Sequence, residues 1–228
     1  EEHVNPEAVG RDWEACMTFN GSWGWQSTPA ADWLSARQVV NMLRTCVAGG
    51  GNLLLNIGPK ADGSVPREAV TRLTDVGRWL DRHGGVVYGA SDRVEGMEWN
   101  TTGHWTRRGT TCYHWCSRWP GKELSIGGLT EKATGARLYP NGKPLPFLQT
   151  KKRLVIGGLP AKSPDPIAEV SIVEIKFVRP PKQRLNMGCD LLGDFSYLLT
   201  PWHSPFVTRW NLARLQANEN RHGPCPGN

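Results

Sequence analysis

The apolar pattern of this chain changes character near residue 86, and the two patterns belong to different kinds of fold. Residues 12–20 read as a short strand that runs into a Gly/Trp/Ser loop over residues 21–28. Ser35 is placed as an N-cap, and behind it Val39, Val40, Leu43, Cys46 and Val47 recur at helical spacing. Gly49, Gly50 and Gly51 stop that helix. The run Asn52-Leu-Leu-Leu-Asn-Ile-Gly58 then predicts a parallel strand buried on both faces. Residues 59–63 form a turn, and Pro66 suits the first turn of a second helix. Val70, Leu73, Val76 and Leu80 mark that helix's apolar face, and Gly84-Gly85 ends it. Strand, helix, strand, helix with short connections is the order of a parallel α/β fold.

Past residue 86 the helical period is gone. Short apolar stretches at 86–88, 110–116, 124–126, 136–139, 153–156 and 168–177 alternate with turn signals such as Pro140-Asn-Gly142 and Pro164-Asp-Pro166. This predicts a small antiparallel β-sandwich. The expected organisation is α/β over residues 1–85, all-β over 86–178 and an irregular tail over 179–228.

The chain has 228 residues, too few for a complete (β/α)8 barrel of roughly 250 residues with a second domain attached. It opens at Glu1 in what reads as mid-loop, with no initiator Met and no signal peptide, so a fragment or a processed product is expected. No run of 18 apolar residues predicts a membrane span. The formal charge is +6, but the basic residues are scattered and Lys151-Lys152-Arg153 is their longest run, so no nucleic-acid partner is expected. Gly49-Gly-Gly-Asn52 runs into a strand rather than a helix and lacks the Lys-Ser/Thr of a phosphate loop. Cys112, His114 and Cys116 share a strand face by period two, which favours a half-buried sandwich face over a metal site. Cys112 and Cys116 are about 13 Å apart along a strand, too far for a disulfide. The 11 Trp point either to an aromatic core or to walls that pack against sugar C–H faces. Asn20-Gly-Ser22 and Asn100-Thr-Thr102 fit the glycosylation acceptor pattern.

Three segments carry a family signature. They are Arg11-Asp-Trp-Glu-Ala-Cys-Met-Thr18 with Ser22-Trp-Gly-Trp25, Gly49-Gly-Gly-Asn-Leu-Leu-Leu-Asn-Ile-Gly-Pro59 with Asp62-Gly63, and Gly77-Arg-Trp-Leu80 with Val87-Tyr-Gly89. In this order and spacing they resemble the α-L-fucosidases of glycoside hydrolase family 29, closely over residues 1–92 and loosely over 92–178. The resemblance implies the last two βα units of an incomplete TIM (β/α)8 barrel, followed by a small antiparallel β-sandwich. It implies a retaining exo-glycosidase without cofactor or metal, whose partner is a fucosylated glycan. A secreted, periplasmic or lysosomal location would follow.

Retention needs two carboxylates about 5–5.5 Å apart. The family's nucleophile is an Asp that would lie upstream of this chain. The resemblance implies an acid/base that many bacterial members carry about fourteen residues before the Glu of Trp-Glu, which falls on Glu1, with Glu2 second. Glu14 is the third candidate, and its structural alternative is a buried carboxylate paired with an Arg. Trp23 stands where the family sets an aromatic against the C5–C6 edge of fucose, and Trp25 replaces a Tyr common in this loop. Asn52, Asn56 and Asp62 are expected to tie down loops. The rival reading is a non-catalytic carbohydrate-binding or interaction module on the sandwich, with Trp99, Trp105, Trp115 and Trp119 as platforms.

Overall fold

A computed structural model describes residues 12–90, 104–151 and 153–182. Glu1, Glu2, Trp99, Asn100, Cys189, Cys225 and most of the 179–228 tail lie outside the described residues. The first unit is β1 (Glu14–Thr18), α1 (Ala36–Ala48), β2 (Asn52–Asn56) and α2 (Arg67–His83). β1 and β2 pair in parallel, in register from Glu14 opposite Asn52 to Thr18 opposite Asn56. α1 is their crossover. Ser35 closes a capping box, its hydroxyl accepting from the Gln38 amide while the Gln38 side chain accepts from the Ser35 amide at 2.8 Å. Val39, Val40, Met42, Cys46 and Val47 turn inward, and the chain leaves the helix at Gly49. Gly51 must be glycine, because a Cβ there would sit 2.2 Å from the Trp13 ring, which is itself held by its Nε1–H donating to Gly49 O.

Two expectations for this unit are corrected. β2 is parallel but not buried on both faces: Leu55 packs against the core while Leu54 is 42% exposed, because the helices cover only one side of a two-stranded sheet. On α2 the buried side chains are Ala69, Val76, Trp79 and His83, whereas Val70 is 50% exposed and Leu73 is also exposed. The helix is rotated so that Trp79 meets the sheet of the second unit. Pro66 stands at the N-cap, just before the first turn.

The second unit contains β3 (His104–Arg108), β4 (Thr111–Cys116), β5 (Leu124–Gly127), β6 (Ala133–Leu138), β7 (Phe147–Gln149), β8 (Arg153–Ile156) and β9 (Ser171–Phe177). They form a four-stranded sheet in the order β3-β4-β9-β6 and a three-stranded sheet in the order β5-β8-β7, with every pair antiparallel. The sheets enclose a core of Trp105, Cys112, Cys116, Leu124, Ile126, Leu154, Ile156, Val173, Ile175 and Phe177. β3 and β7 carry too little apolar alternation to mark themselves in the sequence. The expected stretch at 86–88 is not a strand: Gly84–Val86 is a single 3-10 turn, whose Gly84 carbonyl accepts from the Val87 and Tyr88 amides.

β4 is buried on both faces rather than one. Cys112 and Cys116 face the inter-sheet core, and burial pushes the Cys112 thiol up to about 12, which suits packing rather than metal ligation. His114 is buried beside Trp105, ring centroids 4.6 Å apart. Tyr113 and Trp115 point the other way and join Val170 and Ile172 in the core of the first unit. Buried Glu174 is matched on that sheet by Arg137 directly opposite, in a two-pronged pair at 2.9 and 2.8 Å. Asp165 gives the Pro164-Asp-Pro166 turn its shape by accepting from the amides of Ile167, Ala168 and Val170.

The seam between the units is buried and hydrogen-bonded. Trp79 donates its Nε1–H to Val170 O at 3.0 Å, stacks on His83 at 4.6 Å and meets Trp115 at 5.5 Å. Trp115 donates to the Thr106 hydroxyl, which donates to Val86 O. Arg108 reaches the carbonyls of Gly85, Tyr88 and Gly89. The apolar core therefore continues across residue 86.

Candidate functional site

The C-terminal ends of parallel strands are where α/β folds place ligands. On that side of β1 and β2 lies the loop of residues 20–28. It presents two indoles to solvent, Trp23 at 54% and Trp25 at 51% exposure. A large exposed aromatic is informative only if something holds it in place. Here the backbone is held at both ends. Asn20 accepts from the Ser22 amide through Oδ1, donates from Nδ2 to the Thr28 hydroxyl at 3.0 Å, and takes the Gln26 side-chain amide on its carbonyl. Thr28 O accepts from the Trp33 indole, and Trp33 packs edge-on against Phe19 with centroids 5.6 Å apart. From β2, Asn56 Nδ2 donates to Trp23 O at 2.8 Å. Gly58 lets the loop lie directly on the strand end, since a Cβ there would fall 2.4 Å from the Gly24 carbonyl carbon.

The neighbouring β2–α2 turn is also self-contained. The Asp62 carboxylate accepts from both the Ser64 hydroxyl and the Ser64 amide, and these bonds hold it below the usual carboxylate range. Asn56 and Asp62 thus tie loops, as their residue types suggested. Asn52 contributes through its backbone instead, its amide donating to Trp13 O.

The predicted residues do not all converge. Trp23 and Trp25 come together on one loop. Glu14 opens β1, opposite Asn52, at the N-terminal end of both strands. Four residue steps separate it from Thr18, about 13 Å, and the loop lies beyond that. Glu14 is also exposed, and its described partner is the Cys16 thiol at 3.9 Å, so the reading of a buried carboxylate paired with an Arg is corrected. Glu1 and Glu2 lie outside the described residues. Among the described residues the site is therefore a fixed apolar wall without an assembled pair of carboxylates.

Of the rival platforms on the sandwich, the three among the described residues do not present an open ring face, and Trp99 lies outside those residues. Trp105 and Trp115 are core residues, and Trp119 is half-buried with its Nε1–H donating to Pro160 O at 2.7 Å. Sequence reading missed the clamping roles of Asn20 and Gly58. The only signal at Asn20 was a glycosylation pattern, and Gly58 was one glycine among 26.

Comparison with known proteins places these features in context. A family model described as Alpha-L-fucosidase matches residues 1–85. The plasma alpha-L-fucosidase of Rattus norvegicus is 33% identical over 164 residues, which cover 66% of this chain and 35% of the rat protein. The crystal structure of Thermotoga maritima alpha-fucosidase in complex with fucose superposes with a TM-score of 0.62 at 29% identity, over 74% of this chain and 41% of that one. A GH29 alpha-L-fucosidase from Bacteroides thetaiotaomicron, trapped as a covalent intermediate with 2-fluoro-fucosyl fluoride, superposes with a TM-score of 0.64 at 26% identity, over 77% and 41% of the two chains. The chain spans about a third of the rat relative's length and about two fifths of each of these solved structures. No helix among the described residues is long and apolar enough to cross a membrane.

Proposed function

The chain belongs to the α-L-fucosidase family, and from that premise we propose that it forms part of a retaining exo-glycosidase that removes terminal α-L-fucose from glycans. The observation that carries the reading is the clamped pair of exposed indoles, Trp23 and Trp25, at the C-terminal ends of two parallel strands. In this reading β1-α1-β2-α2 is the last quarter of a (β/α)8 barrel, and the indole wall lies at that barrel's catalytic face. Fucose is a 6-deoxy sugar, so a fixed aromatic face against its C5–C6 edge favours it over sugars that carry a hydroxyl there. The covalent intermediate trapped in the Bacteroides thetaiotaomicron enzyme supports double displacement in this family.

Such a reaction proceeds in two inversions. One carboxylate attacks the anomeric carbon while a carboxylic acid protonates the departing oxygen. The second group then takes a proton from water as it opens the glycosyl ester. We assign the nucleophilic Asp to residues beyond those of this chain, and the acid/base to Glu1, with Glu2 second. Glu14, at the opposite strand end, is the weakest of the three candidates. The reaction uses neither metal nor cofactor. The rat relative's name, plasma alpha-L-fucosidase, favours a secreted setting among the secreted, periplasmic and lysosomal ones that the resemblance implied.

The test uses an aryl α-L-fucoside, with the first-formed sugar anomer followed by NMR. The 228 residues are assayed alone, and again joined to the preceding barrel strands of a solved relative. We expect no turnover from the first and release of α-L-fucose from the second. Enzyme-like turnover by the 228 residues alone would overturn the placement of the nucleophile. An inactive fusion that folds, or one that releases β-L-fucose first, would overturn the fucosidase reading or the retention.

A further inference from the structure

We propose that Asn56 is the positioning residue of the indole wall, a role that rests on the reading of that wall as part of the fucoside site. Asn56 is the last residue of β2 and lies opposite Thr18, the last residue of β1. Its main-chain oxygen accepts from the Phe19 amide at 3.2 Å, extending the parallel ladder one step past both strands. Its side chain turns to the loop and donates Nδ2–H to Trp23 O at 2.8 Å. One residue therefore binds the strand pair and the loop to the same point.

The chemistry of the contact requires an amide. Trp23 O can only accept, so its partner must donate. Asp in place of Asn56 has the same shape but sets carboxylate oxygens against a carbonyl. Two residues further on, Gly58 supplies the second half of the seat: a Cβ there would lie 2.4 Å from the Gly24 carbonyl carbon and 2.5 Å from the Trp25 nitrogen. The backbone on either side of both indoles is thus fixed while the rings stay open to solvent. A wall that selects a methyl edge must be held to about 0.5 Å, and a loop without this seat would not be. Asn56 acts through Trp23 and touches no reacting atom, so its loss weakens substrate binding and leaves the chemical step intact.

The seat is tested in the full 228-residue chain labelled with 5-fluorotryptophan, the Trp23 and Trp25 fluorine resonances being assigned by Trp→Phe substitution. Asn56→Asp is expected to shift or broaden these two signals and to leave those of buried Trp79 and Trp115 in place. Gly58→Ala is expected to move Trp25 in the same way, which keeps the test open should Asn56→Asp fold poorly. Unmoved Trp23 and Trp25 signals in both variants, or equal movement of all tryptophans, would overturn the proposal. In the fusion assayed above, Asn56→Asp should raise KM about fivefold to tenfold with kcat within about twofold. A fall in kcat at unchanged KM would also overturn it. A wild-type fusion without fucosidase activity would refute the fucoside site, and the fluorine spectra would still decide the seat.

Discussion

Replacing Trp79 by phenylalanine tests whether the helices and the four-stranded sheet share one core. The indole N–H of Trp79 is the partner of Val170 O at 3.0 Å in a buried setting. Trp79→Phe leaves that carbonyl without its donor, at a cost of about 1–3 kcal/mol. The lost ring volume, on the order of 40 Å3, adds about 1 kcal/mol at roughly 24 cal/mol per Å3 of cavity. The sum is about 3 kcal/mol, a large share of the stability of an ordinary domain. Urea unfolding of the full chain measures it. With a slope of about 2 kcal/mol per molar, the midpoint should fall by about 1.5 M. Helix ellipticity and tryptophan fluorescence should move together, because Trp79, stacked on His83 of its own helix, meets Trp115 across the seam. If the helical signal weakens while the sheet unfolds at its original midpoint, the shared core is refuted. A midpoint shift below about 0.25 M would refute the energetic argument itself.

Gly51→Ala should destabilise by about 1–3 kcal/mol, since its Cβ would enter the Trp13 ring. In a Trp13→Ala background the same substitution should cost less than about 0.5 kcal/mol, and equal costs in the two backgrounds by thermal melting would contradict the clash. Stability should also depend on acidity. Burial holds His83 below the ordinary imidazole range; burial first, then the charges of Arg44 and His114, hold His104 well below it. The unfolded chain then takes up these protons first as pH falls. Stability should be flat above about pH 6.5 and decline below it, by up to about 1.4 kcal/mol per pH unit for each histidine. His104→Asn should shallow the decline measured by urea midpoints at pH 7.5, 6 and 5, and an unchanged slope would remove His104 from the account.

Local rules were legible where a single residue type has one use. Ser35 marked the start of α1, Gly49 its end, and turn residues bounded most of the strands. The face of α2 was not legible. Val70, Leu73, Val76 and Leu80 make a regular apolar row, yet the helix buries Ala69, Val76, Trp79 and His83. That choice is made by what docks on the helix, and a partner sheet some 90 residues later in the chain leaves no trace in local period. The tryptophans follow the same logic. Nothing in composition separates Trp105 and Trp115, which are buried, from Trp23 and Trp25, which are not. Glu14 entered as a candidate carboxylate because it lies in a strand-like segment, and its place opposite Asn52 puts it at the far end of the strand pair from the indole loop.

The four-stranded sheet has consequences for how such a chain can be rearranged. One of its faces belongs to the three-stranded sheet and the other to the helices, through Tyr113, Trp115, Val170 and Ile172. A cut at residue 86 would bare that second face and leave Trp79 without its carbonyl partner. The sandwich is therefore not a portable cassette. Recombination that exchanged it between chains of this kind would have to carry the matching helix along, or rebuild Tyr113, Trp115 and Ile172 as a water-facing surface. Divergence on either side of the seam is bound to the other, and compensating changes should appear in pairs across it.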